Sequence, residues 1–361
     1  MHRLELDSRV RQIRQAMQAR GVDLLLLVRP SHVTYVTGFG GQDSWAVVTA
    51  RRTCLLTDSR YTEQARKECP TAEILERMGI LARAAGVVAV QSKAATVAVD
   101  PAITLEDWTA VRRHIQARFK TLPDPVAQIR AIKGEHEIRC IRTAGRLART
   151  ALAQALQALR PGWSESELAG LVEYSIRKLG ATCSFDTIVA FGPNASRPHH
   201  RPTSRRLRTH DTILIDFGAR YRGYCSDLTR TLAVGRPSRL FLEAFEAVRR
   251  AQAASIRTIR PGAALQEVDA AARAVIRRSG LPVYGHGTGH GIGLDIHEPP
   301  FLKPDAAGTL QAGQVITVEP GIYLPGRLGV RLEDDVLVTG KGQRILTRRT
   351  GHSYGLGACT G

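Results

Sequence analysis

Four carboxylates stand in two matching contexts, and paired carboxylates are the raw material of metal and acid–base chemistry. Ile213-Leu214-Ile215-Asp216-Phe217-Gly218 leads to Tyr224-Cys225-Ser226-Asp227, and Ile316-Thr317-Val318-Glu319-Pro320-Gly321 leads to Val330-Arg331-Leu332-Glu333. Each reads as apolar strand, acid, glycine, turn, strand, acid. If each forms a hairpin with its acids directly opposite, the first turns between Tyr221 and Arg222, beside Gly223, and the second turns on Gly326. Opposed residues share one sheet face with Cβ atoms about 5 Å apart, and like charges placed so are destabilising. Four carboxylates in one cavity therefore need protons or cations, and two divalent ions balance their charge. A nitrogen donor lies between the motifs, in Gly285-His286-Gly287-Thr288-Gly289-His290-Gly291-Ile292-Gly293-Leu294-Asp295-Ile296-His297-Glu298. Glycine at every odd position from 285 to 293 suggests tight backbone with positive φ close to a ligand. The spacing matches neither G-x-G-x-x-G nor Walker A, and H-E-x-x-H is absent.

The elements that must position these groups repeat as well. Residues 159–180 and 259–280 align at an offset of one hundred, sharing Arg160/Arg260, Pro161/Pro261, Gly162/Gly262, Glu167/Glu267, Ile176/Ile276, Arg177/Arg277 and Gly180/Gly280. Each copy predicts a helix, a Pro-Gly break and a second helix closed by glycine. Ser164-x-x-Glu167 reads as a capping box, with Trp163 and Leu168 as its hydrophobic staple. A long helix is expected over about residues 134–159. Upstream, Leu6, Val10, Ile13 and Met17 have helical spacing, while residues 24–28, 45–49, 53–56 and 97–99 read as short strands. Thr121-Leu122-Pro123-Asp124-Pro125 interrupts the pattern and predicts an α/β N-terminal domain over 1–125 and a second domain over 126–361.

The composition narrows the classes. Of 361 residues, 51 are Lys or Arg and 33 are Asp or Glu, a net charge of +18, and only seven of the basic residues are Lys. A polyanionic partner would suit that balance. The arginines are nevertheless spread along the chain, and 5% aromatic residues leave few platforms for base stacking, so nucleic acid is disfavoured as a partner. Hydrophobic residues at 43% exclude a disordered chain. No apolar run approaches the roughly 18 residues of a membrane span, and the N-terminal stretch lacks the apolar region of a signal peptide. Cys54, Cys69, Cys140, Cys183, Cys225 and Cys359 show no zinc spacing and read as reduced thiols in a cytoplasmic protein. Cys225, two residues before Asp227, reads as core packing rather than as a ligand.

In order and context, Asp216, Asp227, His290, Glu319 and Glu333 resemble the five metal ligands of the creatinase/aminopeptidase P/prolidase family of pita-bread metallopeptidases. The resemblance covers about residues 126–345 and extends more weakly to Tyr35-Val36-Thr37-Gly38-Phe39. It implies a creatinase-like N-terminal domain, an α+β pita-bread catalytic domain with an internal pseudo-two-fold duplication, and a homodimer. It implies a dinuclear exopeptidase, aminopeptidase P-like or prolidase-like, that hydrolyses Xaa-Pro bonds with a metal-activated hydroxide. Oxygen-rich ligation favours Mn²⁺, with Co²⁺ or Zn²⁺ as alternatives. Glu319 would carry the water proton toward the leaving nitrogen, and His199 or His297 would stabilise the oxyanion. His286 matches a further active-site histidine, and Arg331 an arginine that orients Glu333 or substrate. His200, beside His199, reads as structural. Two other readings stay open: a C–N hydrolase of a small non-peptide amide on the same scaffold, and a non-catalytic binding protein.

Overall fold

The helical spacing of Leu6, Val10, Ile13 and Met17 yields the helix Arg3–Ala19, with all four side chains buried. It opens the first of two units, Met1–Arg130 and Ala131–Gly361, in a computed structural model that describes residues 3–347 and the backbone of Gly355–Leu356. Cys359 lies outside the described residues. The N-terminal unit is built on a six-stranded sheet in the order Glu73–Glu76, Thr53–Thr57, Trp45–Thr49, Leu24–Leu27, Thr96–Val99, Arg118–Phe119. Leu24–Leu27 runs antiparallel to Trp45–Thr49 and parallel to Thr96–Val99, and every residue in it is buried, as a central strand covered on both faces must be. The expected strands are all present. The two edge strands went unpredicted, because Glu73–Glu76 starts and ends on exposed acids and Arg118–Phe119 is too short to show a period.

In the second unit the duplication is written in backbone angles. Glu135–Ala158 and Glu165–Lys178 form one helix pair, and Arg239–Thr258 and Leu265–Arg278 form the other. Gly162 and Gly262 have φ of 86° and 84°, and Gly180 and Gly280 have 80° and 75°. These are left-handed values that glycine adopts without strain. The capping box forms as expected: Ser164 Oγ accepts from Glu167 N at 3.2 Å, and Glu167 Oε2 accepts from Ser164 N at 2.6 Å. Leu168, Val172 and Ile176 bury against Ile213, Ile215 and Leu228. In the second half, Leu265 and Val268 pack with Ile316, Val318 and Val336. Burial of such side chains is typically worth about 2 kcal/mol each.

One sheet contains Ile188–Phe191, Thr212–Phe217 and Leu228–Val234, with Gly355–Leu356 at its edge. The other contains, in order, Glu298–Leu302, Gly289–Gly291, Val315–Val318, Asp334–Val338 and Gln343–Ile345. The second acidic hairpin has the expected register, since Gly321 faces Arg331 and Val318 faces Asp334 around Gly326. The first does not. Asp216 pairs with Thr229, not Asp227, and the turn falls between Arg222 and Gly223. Both turn residues have positive φ, 50° and 85°, as the tight hairpin turn between Tyr221 and Tyr224 requires. A slip of two residues preserves the face, because the side-chain period of a strand is two. No helix among the described residues is long and apolar enough to cross a membrane.

Fully buried polar groups tie the N-terminal unit together. Asp100 Oδ2 accepts from Arg29 N at 3.1 Å and meets His32 Nδ1 at 2.9 Å, while Oδ1 accepts from Ala102 N at 3.0 Å. Burial alone would raise this carboxyl, but the His32 contact and the two backbone donors outweigh it and hold it at about 2. A depressed folded-state value contributes stability above the unfolded value near 4, and the contribution disappears as pH falls toward 2. The shift is worth about 2 kcal/mol. Asp100→Asn should therefore lower the melting temperature at pH 6, and its gap to wild type should close steadily below pH 4. A gap independent of pH would contradict this assignment.

Candidate metal centre

A cavity of about 620 Å³ within the second unit is lined by Asp216, Asp227, His290, Glu319, Glu333, His199, His286, His297 and Arg331. All nine groups expected from the sequence thus converge on one space. Asp216 is the penultimate residue of Thr212–Phe217, and Asp227 sits in the break between Tyr224–Cys225 and Leu228–Val234. His290 is central in Gly289–Gly291, Glu319 follows Val315–Val318, and Glu333 lies between Leu328–Arg331 and Asp334–Val338. Strand ends and breaks free Asp227, Glu319 and Glu333 from sheet packing, while Asp216 and His290 reach the same volume from paired strand positions.

The glycines flanking His290 serve a different purpose from the one expected. None from Gly285 to Gly293 has positive φ. They allow backbone to approach backbone: a Cβ on Gly289 would lie 1.9 Å from Thr317 O, and one on Gly291 would lie 2.3 Å from Pro299 O. Only glycine lets the short strand carrying His290 insert between its neighbours.

The donor set fits divalent cations. His290 Nε2 lies 3.4 Å from Glu319 Oε1 and 3.7 Å from Asp227 Oδ2, and ligand atoms of Asp227, His290 and Glu333 lie within 4.8 Å of one another. Asp216 Oδ1 and Asp227 Oδ1 are buried without a hydrogen-bond partner. Burial, then repulsion from Glu333, Asp216 and Glu319, pushes the Asp227 carboxyl well above its ordinary range. Burial and the charges of Glu319 and Asp216 do the same to Glu333. For Glu319 burial also acts upward, but the His290 contact outweighs it and keeps the carboxylate ionised, at about 2. Buried, unsatisfied and mutually repelling oxygens of this kind are stabilised by positive charge.

Arg331 supplies part of that charge. Its Nη2 donates to Asp216 Oδ2 at 2.6 Å, its Nη1 to Tyr323 Oη at 2.8 Å and its Nε to Thr229 Oγ1 at 3.0 Å. It was expected to orient Glu333 or substrate. It reaches Glu333 only through Thr229, whose hydroxyl donates to Glu333 Oε2 at 2.6 Å. His286 Nε2 meets Tyr323 Oη at 3.0 Å, so Tyr323 joins His286 to Arg331. The His297 ring stands edge-on to His290 at 4.4 Å, and burial, then the nearby His290, lowers its basicity, which favours the neutral imidazole.

Several participants escaped the sequence reading. Thr229 is two residues beyond Asp227, and a period-two reading of the strand would have found it. Asp335 is two beyond Glu333. It is fully buried, accepts from Asp227 N at 3.3 Å and keeps its Oδ1 without a hydrogen bond. Tyr323, and the cavity walls Phe185, Ile188, Ile296 and Phe301, carried no local signal, since only tertiary folding assembles them. Cys225 is buried and its thiol is pushed up to about 11 by burial, in line with core packing.

Two other features are weaker candidates. Among the described residues, His32, Asp100 and Asp124 form a second His/carboxylate group. Both Asp100 oxygens already accept backbone N–H groups, which leaves His32 Nε2 and one Asp124 oxygen, 3.6 Å apart, too few ligands for a typical site. A cleft of about 770 Å³ between Arg239–Thr258 and Leu265–Arg278 is lined by Arg249, Arg250, Arg257 and Arg278 without converging acid–histidine pairs.

Comparison with known proteins adds a separate line of support. A sequence model of metallopeptidase family M24 matches residues 139–340, and one of the creatinase/prolidase N-terminal domain matches residues 9–132. The chain is 36% identical over 351 residues to an uncharacterized peptidase of Bacillus subtilis, YqhT, covering 94% of this chain and 97% of that one. It is similar to the solved structure of an Xaa-Pro dipeptidase from Bacillus anthracis, with 35% identity, a TM-score of 0.93, and 97% and 100% of the two chains covered. It is also similar to an X-Pro aminopeptidase from Thermotoga maritima, with 33% identity, a TM-score of 0.88, and 95% and 100% covered. The architecture is a creatinase-type N-terminal domain followed by a pita-bread domain with its two halves duplicated.

Saturating Mn²⁺ should raise the melting temperature of chelator-stripped protein. At one hundred times Kd the gain is about 2.7 kcal/mol. Asp227→Asn and His290→Ala should lose most of that gain, and elemental analysis should show fewer ions per chain than in wild type. A melt that Mn²⁺, Co²⁺ and Zn²⁺ all leave unmoved would speak against a metal centre.

Proposed function

The chain belongs to metallopeptidase family M24, and on that premise we propose that it is an exopeptidase hydrolysing Xaa-Pro bonds with a pair of divalent metal ions. The observation that carries this reading is the convergence of four carboxylates, the four histidines His199, His286, His290 and His297, and one buried arginine on a single cavity. Asp216, Asp227, His290, Glu319 and Glu333 would hold the ions. One imidazole among oxygen donors suits hard cations, and Mn²⁺ is the ion proposed. Ions held there would neutralise the carboxylates and would supply a water of lowered pKa as nucleophile at neutral pH.

The chain's own residues then do the rest. Glu319, ionised and facing the cavity, accepts the water proton and returns it to the leaving nitrogen. An Xaa-Pro amide is tertiary, so its nitrogen departs only once protonated. His199 or His297 donates to the carbonyl oxygen as negative charge develops on it. Burial, opposed by the charge of Glu319, lowers the basicity of His286, which stays with Tyr323. Arg331 remains charged and holds Asp216. Phe185, Ile188, Ile296 and Phe301 offer apolar wall to a pyrrolidine ring, worth about 25 cal/mol per Å² buried. Proline has no N–H to leave unpaired, so a site shaped for it need carry no acceptor there.

Glu319→Gln should fold normally and lower kcat by about 10²-fold or more. His199→Ala and His297→Ala should each impair turnover. With Mn²⁺-loaded enzyme at one pH, Ala-Pro and Ala-Pro-Ala should be preferred over Ala-Ala-Ala in kcat/KM by more than the roughly 10–200-fold that one methylene provides. The ratio of the first two substrates separates dipeptidase from aminopeptidase action. Equal cleavage of all three, or cleavage of none with metal bound, would favour a different C–N hydrolase.

A further inference from the structure

His199 and His200 are neighbours with opposite fates. His199 is exposed and lines the cavity, whereas His200 is buried and points away, its Nε2 2.8 Å from Glu165 Oε2. Glu165 opens the helix Glu165–Lys178, and its side chain is completely buried. An uncompensated carboxylate there would cost several kcal/mol. Instead its two oxygens are filled. Oε1 accepts from Phe191 N and from Asn194 Nδ2, both at 2.8 Å. Oε2 meets His200 Nε2 and accepts from Thr203 N at 3.0 Å and Thr203 Oγ1 at 2.6 Å. These bonds together outweigh burial, so the carboxyl stays below its ordinary range.

The donors have a pattern. Phe191 ends the strand Ile188–Phe191, Asn194 lies in the following 3-10 turn Gly192–Ser196, and His200 and Thr203 lie beyond the turn. One carboxylate therefore grips both ends of the segment that displays His199. Further bonds fix the same segment: Glu165 N donates to Arg205 O at 3.1 Å, Ser166 N donates to Thr203 O at 3.1 Å, and Arg331 Nη1 donates to Pro198 O at 3.3 Å. The buried cluster exceeds what capping needs, because Ser164 and Glu167 already cap this helix.

We propose that Glu165 is a positioning residue, which acts through His200 and Thr203 to hold His199 toward the substrate. The proposal rests on the reading that His199 acts on an Xaa-Pro substrate. Displacement of a reacting group by about 1 Å can cost 10²-fold in rate, so a clamp on the thirteen residues from Phe191 to Thr203 has kinetic weight out of proportion to its size.

The test is a double-mutant cycle on metal-loaded full-length enzyme. Glu165→Gln keeps the side-chain volume but sets an amide NH₂ against donors on one edge. It should lower kcat/KM on Ala-Pro by about 10²-fold and leave metal content at the wild-type level. Combined with His199→Ala it should cost no more than about twofold beyond His199→Ala alone, the signature of two residues acting as one. Hydrogen exchange followed by mass spectrometry should show faster exchange over residues 192–206. His200→Ala, which removes one donor only, should show the same non-additivity with a smaller loss, and it stands in if Glu165→Gln does not fold. Multiplicative losses in the cycle, wild-type kcat/KM in either variant, or unchanged exchange in the loop would each overturn the proposal. Metal-loaded wild type that cleaves no Xaa-Pro substrate would sink the functional reading instead, and loop exchange would then decide the clamp independently.

Discussion

Four carboxylates share one buried cavity, and their mutual repulsion governs the rest of the catalytic unit. Asp227 and Glu333 are driven well above their ordinary range by burial and by one another's neighbours. Several nearby groups ease that load, although the buried Asp335 adds to it. Arg331 gives Asp216 a permanent counter-charge, and Thr229 gives Glu333 a short hydroxyl bond. His290 stands between Glu319 and Asp227, within reach of both. A chain with only these resources still leaves buried carboxylate oxygens unsatisfied, so cations fit the site as part of its stability as well as its chemistry.

The scaffold meets the constraint by duplication. Two helix pairs with matching left-handed glycines support two sheets, and each sheet delivers two acids from the ends or breaks of its strands. Regular pairing stops at three of the acids, Asp227, Glu319 and Glu333, whereas Asp216 reaches the cavity from a paired strand position. Asp227 and Glu333 both occupy gaps between consecutive strands, which lets them turn inward without disturbing the ladders on either side.

Much of this was legible from residues alone, for identifiable reasons. Acid–glycine–turn–acid strings in matching order, and a Pro-Gly break repeated one hundred residues later, are local signals that survive without a structure. Glycine periodicity around His290 was visible but misread, because sequence does not tell left-handed backbone from close approach; the 1.9 Å limit at Gly289 does. The first hairpin was misplaced by two residues because its register was set by placing Asp216 opposite Asp227, whereas the turn forms at Arg222-Gly223. Thr229 was within reach of a period-two reading, but Tyr323 and the Glu165 cluster were invisible, because their importance lies in partners many positions distant.

Gly329 carries a last consequence. A Cβ there would lie 1.7 Å from Ala195 O, so the second-half hairpin and the turn preceding His199 meet backbone to backbone. The bonds across the cavity span similar distances along the chain, 115 residues from Arg331 to Asp216 and 104 from Glu333 to Thr229. Contacts of such sequence separation form slowly, since closure of the intervening chain must precede any reward. The expected ligand set is complete only once the halves dock, because Asp216 and Asp227 come from the first and His290, Glu319 and Glu333 from the second. A chain interrupted between the halves therefore has two of the five expected ligands, Asp216 and Asp227, and lacks the other three.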